Sequence, residues 1–238
     1  MKLPIQETPN YNTVLPLTKQ KVSFRPFLVK EQRNLLLARD GESNEEIFEA
    51  VSSLLTSVSD LKVDPRKLPM ADLEYLFLQV RAKSVGETST IAVRCPKCNE
   101  GTARALINLL EVNIDEEFTD NKVKLDENLM IEFAYPTAET ILSAERYTQD
   151  GNEMSAIKPL VMSCMVRIFD SEEIYELSDH PDSEIEKFVD SLTMAQFESI
   201  SLFFGNLPML KEDVNYSCDN KECGHKFDDV IRGLQNFF

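Results

Sequence analysis

Glycine is scarce in this chain, with only 7 among 238 residues. Enzymes that cradle phosphate build Gly-rich loops so that backbone N–H groups can approach the ligand closely. The sequence also lacks a P-loop and a GxSxG nucleophile turn. Long apolar runs are missing too. No stretch approaches the ~18 residues of a membrane-spanning helix, and the opening MKLPIQETPN has no apolar core behind Lys2, so no signal peptide is expected. Positive charge is in deficit. With 25 Lys and Arg against 41 Asp and Glu, the formal net charge is -16. Such a surface repels the phosphate backbone and anionic lipid alike. No nucleic acid, membrane or small-molecule partner is therefore expected. The acidity serves either solubility or a basic protein partner.

What remains is an ordinary globular composition, 42% hydrophobic and 28% charged. Residues 1–27 carry Pro4, Pro9, Pro16 and Pro26 and read as an extended N-terminal arm, with a strand possible at residues 21–25. Residues 28–86 read as a helical segment. Ser43 stands three before Glu46 in a capping-box arrangement, ahead of Ile47, Phe48, Val51, Leu54, Leu55 and Val58 on one helical face. A first helix is expected over residues 28–39, stopped near Gly41, and a third after Pro69. Residues 87–135 change texture, with β-branched runs on either side of a first cysteine turn and two further short strands about Asp126–Asn128. Residues 136–207 read as helical again. Ile157, Leu160, Val161, Cys164, Met165 and Ile168 form one apolar stripe, and Thr193 with Gln196 forms a second capping box. Residues 208–238 hold a second cysteine turn and a tail ending in Phe237 and Phe238, which docks either on the chain's own core or in a partner's groove.

The 5 cysteines are an odd number, which argues against a disulfide framework. Four of them form two pairs, Cys95-Pro-Lys-Cys98 and Cys218-Asp-Asn-Lys-Glu-Cys223, each between strand-like segments. Zinc takes four thiolates in a tetrahedron, and two short turns offering two sulfurs each complete one site. The residue after each second sulfur suits a turn through positive φ: Asn99 in the first, Gly224 in the second. Cys95, Cys98, Cys218 and Cys223 are thus the candidate ligands of one structural Zn²⁺. Two other readings stand beside this one. In one the four are unrelated reduced cysteines; in the other CPKC is a redox pair, although a redox CxxC normally opens a helix and strand-like sequence follows here. His225 is expected beside the site, donating to a sulfur or simply exposed; the alternative is that it replaces Cys223 as a ligand. Cys164 is expected to be a small buried hydrophobe.

Other chemistry is thin. His180, between Asp179 and Pro181, reads as a loop residue, and the runs Asp115, Glu116, Glu117 and Glu172, Glu173, Glu176 read as solvated faces. No nucleophile, general base or open metal site assembles from these residues, so no enzymatic activity is expected.

LPLTKQKVSFRPFLVKEQRNLL near the start, the CPKC turn, FAYPTAETIL and the closing CDNKECGHKF together resemble the baseplate hub proteins of T4-like contractile-tailed bacteriophages. The likeness covers most of the chain. It implies a non-enzymatic tail protein, either a hub subunit resident in the virion or an assembly chaperone in the host cytoplasm. Its partners would be other tail proteins, hub or tape-measure components, and the candidate docking surfaces would be the arm (Leu15, Leu17, Phe27) and the terminal aromatics. The alternative is a zinc-ribbon protein acting in transcription or on nucleic acid, which the acidic residues Asp219, Glu222, Asp228 and Asp229 around the second turn disfavour. The fold expected is α+β, mainly helical, with a small zinc-ribbon-like β module formed by the two distant cysteine hairpins.

Overall fold

The computed structural model describes residues 7–40, 43–115, 121–145 and 153–237. The chain forms two compact units. The first comprises residues 1–65, 71–115 and 209–238; the second comprises residues 66–70 and 116–208.

The first unit opens with a hairpin of β1 (Tyr11–Val14) and β2 (Lys21–Phe24). Leu15, Val22 and Phe24 are buried. The hairpin loop is held by Asp72, whose fully buried carboxylate accepts the N–H of Leu17 at 2.7 Å and both the N–H and hydroxyl of Thr18 at 2.9 and 2.7 Å. A buried carboxylate is tolerable only with such partners. Then come α1 (Val29–Asp40) and α2 (Asn44–Val58). Ser43 caps α2 by accepting the Glu46 N–H, and Val51, Leu54, Leu55 and Val58 form its buried stripe. The chain leaving β2 runs beside the end of α2, where the Arg25 N–H donates to the Val58 carbonyl at 2.9 Å. Helix α3 (Met70–Val85) carries Asp72 and leads to β3 (Thr88–Arg94), β4 (Thr102–Asn108) and the short β5 (Asn113–Ile114). The arm expected to need a partner's cover is therefore a folded hairpin with Leu15 enclosed by this chain. The expected stop of α1 near Gly41 lies outside the described residues.

The second unit contains a four-stranded antiparallel sheet of β6 (Lys122–Lys124), β7 (Met130–Phe133), β8 (Met165–Phe169) and β9 (Ile174–Glu176) in that order. Its helices are α4 (Ala138–Glu145), α5 (Glu153–Cys164), α6 (Asp182–Ser191) and α7 (Met194–Gly205). Thr193 and Gln196 form a complete capping box at the start of α7. Phe133 packs against Phe203 and Phe204 with ring centroids 5.3 and 5.4 Å apart, inside a core that also holds Ile131, Val161, Cys164, Val189 and Ile200.

The chain then returns to the first unit. Strands β10 (Leu210–Cys218) and β11 (Lys226–Arg232) form a second long hairpin. The resulting antiparallel sheet runs β11-β10-β4-β3, with β5 pairing on β10. One face of it, through Ala103, Ala105, Ile107, Val214, Tyr216 and Ile231, shares a core with Leu78 and Ala82 of α3. Phe237 is fully buried in that core, so it docks on its own chain; Phe238 lies outside the described residues.

Two features of the expected fold are corrected. The described residues hold eleven strands in three antiparallel sheets beside seven α-helices, so the fold is not mainly helical. The stripe from Ile157 to Ile168 is not one helix: α5 ends at Cys164, and Met165 and Ile168 belong to β8. Apolar spacing alone cannot tell a buried strand from a buried helix, and Val166, Ile168 and Phe169 are strand formers. The cysteine hairpins also do not make a small module apart. They cluster their cysteines on the five-stranded sheet that bears the core of the first unit.

Candidate metal centre

Each cysteine pair sits at the tip of a hairpin. In the first, β3 delivers Cys95, whose N–H donates to the Gly101 carbonyl at 2.9 Å, and the Asn99 N–H closes the turn on the Cys95 carbonyl at 3.0 Å. Asn99 has φ 56°. In the second, β10 delivers Cys218, whose N–H donates to the His225 carbonyl at 2.9 Å. The N–H groups of Cys223 and Gly224 both donate to the Asn220 carbonyl, and Gly224 has φ 51°. Both residues that the sequence marks for a positive φ adopt it. Asparagine tolerates this backbone and glycine adopts it without steric cost.

Pairing of β4 with β10 brings the tips together. It consists of two residue pairs, Ser217 with Arg104 and Cys218 with Ala103, immediately beside the cysteines. Asp219 extends the join. Its carboxylate accepts the Thr102 N–H at 2.9 Å and pairs with the Arg104 guanidinium at 2.5 Å, while its own N–H donates to the Thr102 carbonyl. The Thr102 N–H and then Arg104 hold the Asp219 carboxyl below its ordinary range.

The four sulfurs of Cys95, Cys98, Cys218 and Cys223 lie within 4.8 Å of one another. Cys95 and Cys223 are 3.9 Å apart, as are Cys98 and Cys218. A zinc ion with Zn–S bonds of ~2.3 Å at the tetrahedral angle spaces its sulfurs about 3.8 Å apart. The donor set therefore fits the ion in chemistry and in size. Backbone amides suit thiolates here. The N–H groups of Gly101 (3.3 Å) and Glu100 point at Cys98, that of Asn220 at Cys218 and that of His225 at Cys223. The Gly101 and Glu100 amides bring the Cys98 thiol down to about 6, whereas burial pushes Cys218 up to about 12. Four inward sulfurs leave no position for water or substrate, which is the pattern of structural rather than catalytic zinc.

His225 contributes backbone only; its ring stacks on Phe227 at 5.6 Å. Cys164 lies in the core of the other unit, 1% exposed, with burial pushing its thiol up to about 12. His180 pairs with Glu184 at 3.0 Å and is not among the clustered ligands. Asp115 is not a solvated carboxylate as expected: it is 6% exposed, with Lys211 and Arg232 each 3.4 Å away. Glu116 and Glu117 lie outside the described residues.

Two supporting residues escaped the sequence reading. Asp219 was counted there only as a charge. Gly101 is required by space, since a Cβ there would lie 2.6 Å from the Cys218 sulfur. The only sequence signal for it is a glycine three positions after the second cysteine of the pair.

A family model described as T4 bacteriophage base plate protein matches residues 8–238. No curated protein and no solved structure matches the chain. The chain belongs to the T4 bacteriophage base plate protein family, and is thus a phage baseplate protein.

Proposed function

We propose that this base plate protein is a hub subunit, or a factor that assembles the hub, and that it works by holding other tail proteins without chemistry of its own. The observation that carries the reading is the closed four-sulfur cluster at the junction of two hairpins. It fits a structural Zn²⁺ ligated by Cys95, Cys98, Cys218 and Cys223, and the ion would fix the register of a sheet whose central join is only two residue pairs long. A zinc so placed supplies rigidity to a binding surface. Hub and tape-measure components are the partners this reading implies. Assembly would begin in the host cytoplasm; among the described residues no helix is long and apolar enough to cross a membrane.

Elemental analysis of the purified chain is the first test. One zinc per chain is expected, lost in Cys95→Ser and Cys223→Ser together with thermal stability. A metal-free chain whose melting ignores chelators overturns the staple. Mass spectrometry of purified virions separates the two roles. Peptides of this chain in the particle indicate a resident hub subunit. Their absence, with tails that fail to form when the gene is deleted, indicates an assembly factor. Normal tails without the protein overturn the function.

A further inference from the structure

The second unit carries a cavity of about 330 Å³ that no part of the metal centre touches. Its floor is apolar. Ile168 of β8, Leu177 in the turn after β9, and Ile185 of α6 are buried there, with Leu129 and Phe188 completing the wall. Its rim is polar and anionic. Asp170 is held in place by the N–H groups of Glu172 and Glu173, each at 2.7 Å, and by the Tyr175 hydroxyl at 3.0 Å. Glu184 faces it from α6, more than half exposed and 3.0 Å from the His180 ring. Among the described residues no lysine or arginine lines the cavity.

Size and charge together narrow the occupant. The space is about ten times the ~30 Å³ share of one water, and an apolar floor offers water few partners. It is at the low end of the range for ligand-binding pockets and suits one large side chain. Whatever carries that side chain must pass two carboxylates, beside the exposed Glu172 and Glu173, on a chain of net charge -16. An anionic ligand is repelled there; a cationic segment is attracted and steered.

We propose that this cavity is a docking site for a basic segment of another protein, which inserts one large apolar side chain between Asp170 and Glu184 while its lysines or arginines engage the rim. Interfaces concentrate their binding energy in such anchors, with charged rims setting partner choice and encounter rate. The inference deepens the assembly reading above, which supplies only the source of the segment, another tail protein.

The test uses the full-length protein and a dye-labelled synthetic peptide with one phenylalanine between two pairs of lysines, followed by fluorescence anisotropy. Saturable binding is expected, weakened by salt. Replacing the phenylalanine by alanine should weaken it about thirtyfold, the loss of a buried anchor, and replacing the lysines by glutamates should abolish it. On the protein side, Glu184→Lys should weaken binding about tenfold and Glu184→Gln less, both with unchanged circular dichroism at the assay temperature. Absence of saturable binding overturns the proposal. So does equal binding of the alanine peptide, or indifference to Glu184→Lys. A concentration-dependent dimer disrupted by Glu184→Lys would instead make a second copy the occupant, and equally overturn it. Because purified protein alone is used, failure here says nothing about residence in the tail, which virion mass spectrometry decides separately.

Discussion

Gly101→Ala is the substitution that asks most directly whether the four sulfurs work as one site. A Cβ at this position would lie 2.6 Å from the Cys218 sulfur and 2.9 Å from the Asn220 Cβ. Ordinary non-bonded contacts fall near 3.5–4.0 Å, so the overlap is about 1 Å. Gly101 cannot swing aside cheaply, since its N–H donates to the Cys98 sulfur and its carbonyl accepts from the Cys95 N–H. The displacement must pass to the Cys218 side, and it exceeds several-fold the ~0.2 Å tolerance of a metal–ligand distance. Overpacking of this kind costs about 1–3 kcal/mol, which corresponds to zinc affinity lowered about 5- to 150-fold. Competition against a chromophoric chelator measures it, with cobalt substitution reporting the sulfur geometry by its charge-transfer bands. Gly86→Ala is the control, because a Cβ there meets nothing within 4 Å. If Gly101→Ala binds metal like the wild type, with the same cobalt spectrum, the reasoning from close approach is refuted.

Three further outcomes are expected. Cys164→Ala should keep the full metal content and cost about 1 kcal/mol in urea unfolding, as a small truncation in a core; loss of zinc would show that a ligand is misassigned. Phe237→Ala, which empties a fully buried site, should cost about 3–5 kcal/mol, and a shift below 1 kcal/mol would show that the tail is not held there. Burial raises the Glu74 carboxyl to about 7, although it accepts the Leu234 N–H. A carboxyl raised on folding favours the fold while protonated. Its contribution is therefore complete below the ordinary value near 4.5 and lost as pH climbs through 7. Glu74→Gln should remove that loss, about 1 kcal/mol of it falling between pH 6 and 8.5, measured as the difference between the two proteins over that range; parallel profiles would contradict it.

The local chemistry of the fold was legible in the sequence, and the long-range chemistry was not. Capping at Thr193 and Gln196 and the left-handed turns at Asn99 and Gly224 depend on neighbours a few residues away, and the structure shows all of them. The end of α5 at Cys164 was missed because the apolar pattern continues without a break into β8. The N-terminal prolines suggested an extended arm, yet what holds that segment as a hairpin is Asp72, 54 and 55 residues along the chain from Thr18 and Leu17. The cysteine spacing named the four residues that cluster, but not that their hairpins would join the main sheet of a unit. That join rests on pairing between β4 and β10, and on Asp219 reaching Thr102 and Arg104. Gly101 went unremarked because the atom that crowds it arrives only with β10. The cavity beside His180 was hidden for the same reason: its wall comes from β8, β9 and α6 together.

The sheet of the first unit also has a history. Cys98 and Cys218 are 120 residues apart in the chain, so at ribosomal rates of roughly 5–20 residues per second the first turn waits roughly 6–24 s for the second. Throughout that interval β4 offers a bare edge, and the CPKC turn offers two sulfurs to whatever metal or oxidant it meets. The intervening residues build the other unit, whose sheet and core need nothing from β10 or β11. On a chain made from its N-terminus, the sheet of the first unit is thus the last part that can be completed. The last event is the arrival of one hairpin that covers the waiting edge, completes the sulfur cluster and brings Phe237 to its place in the core.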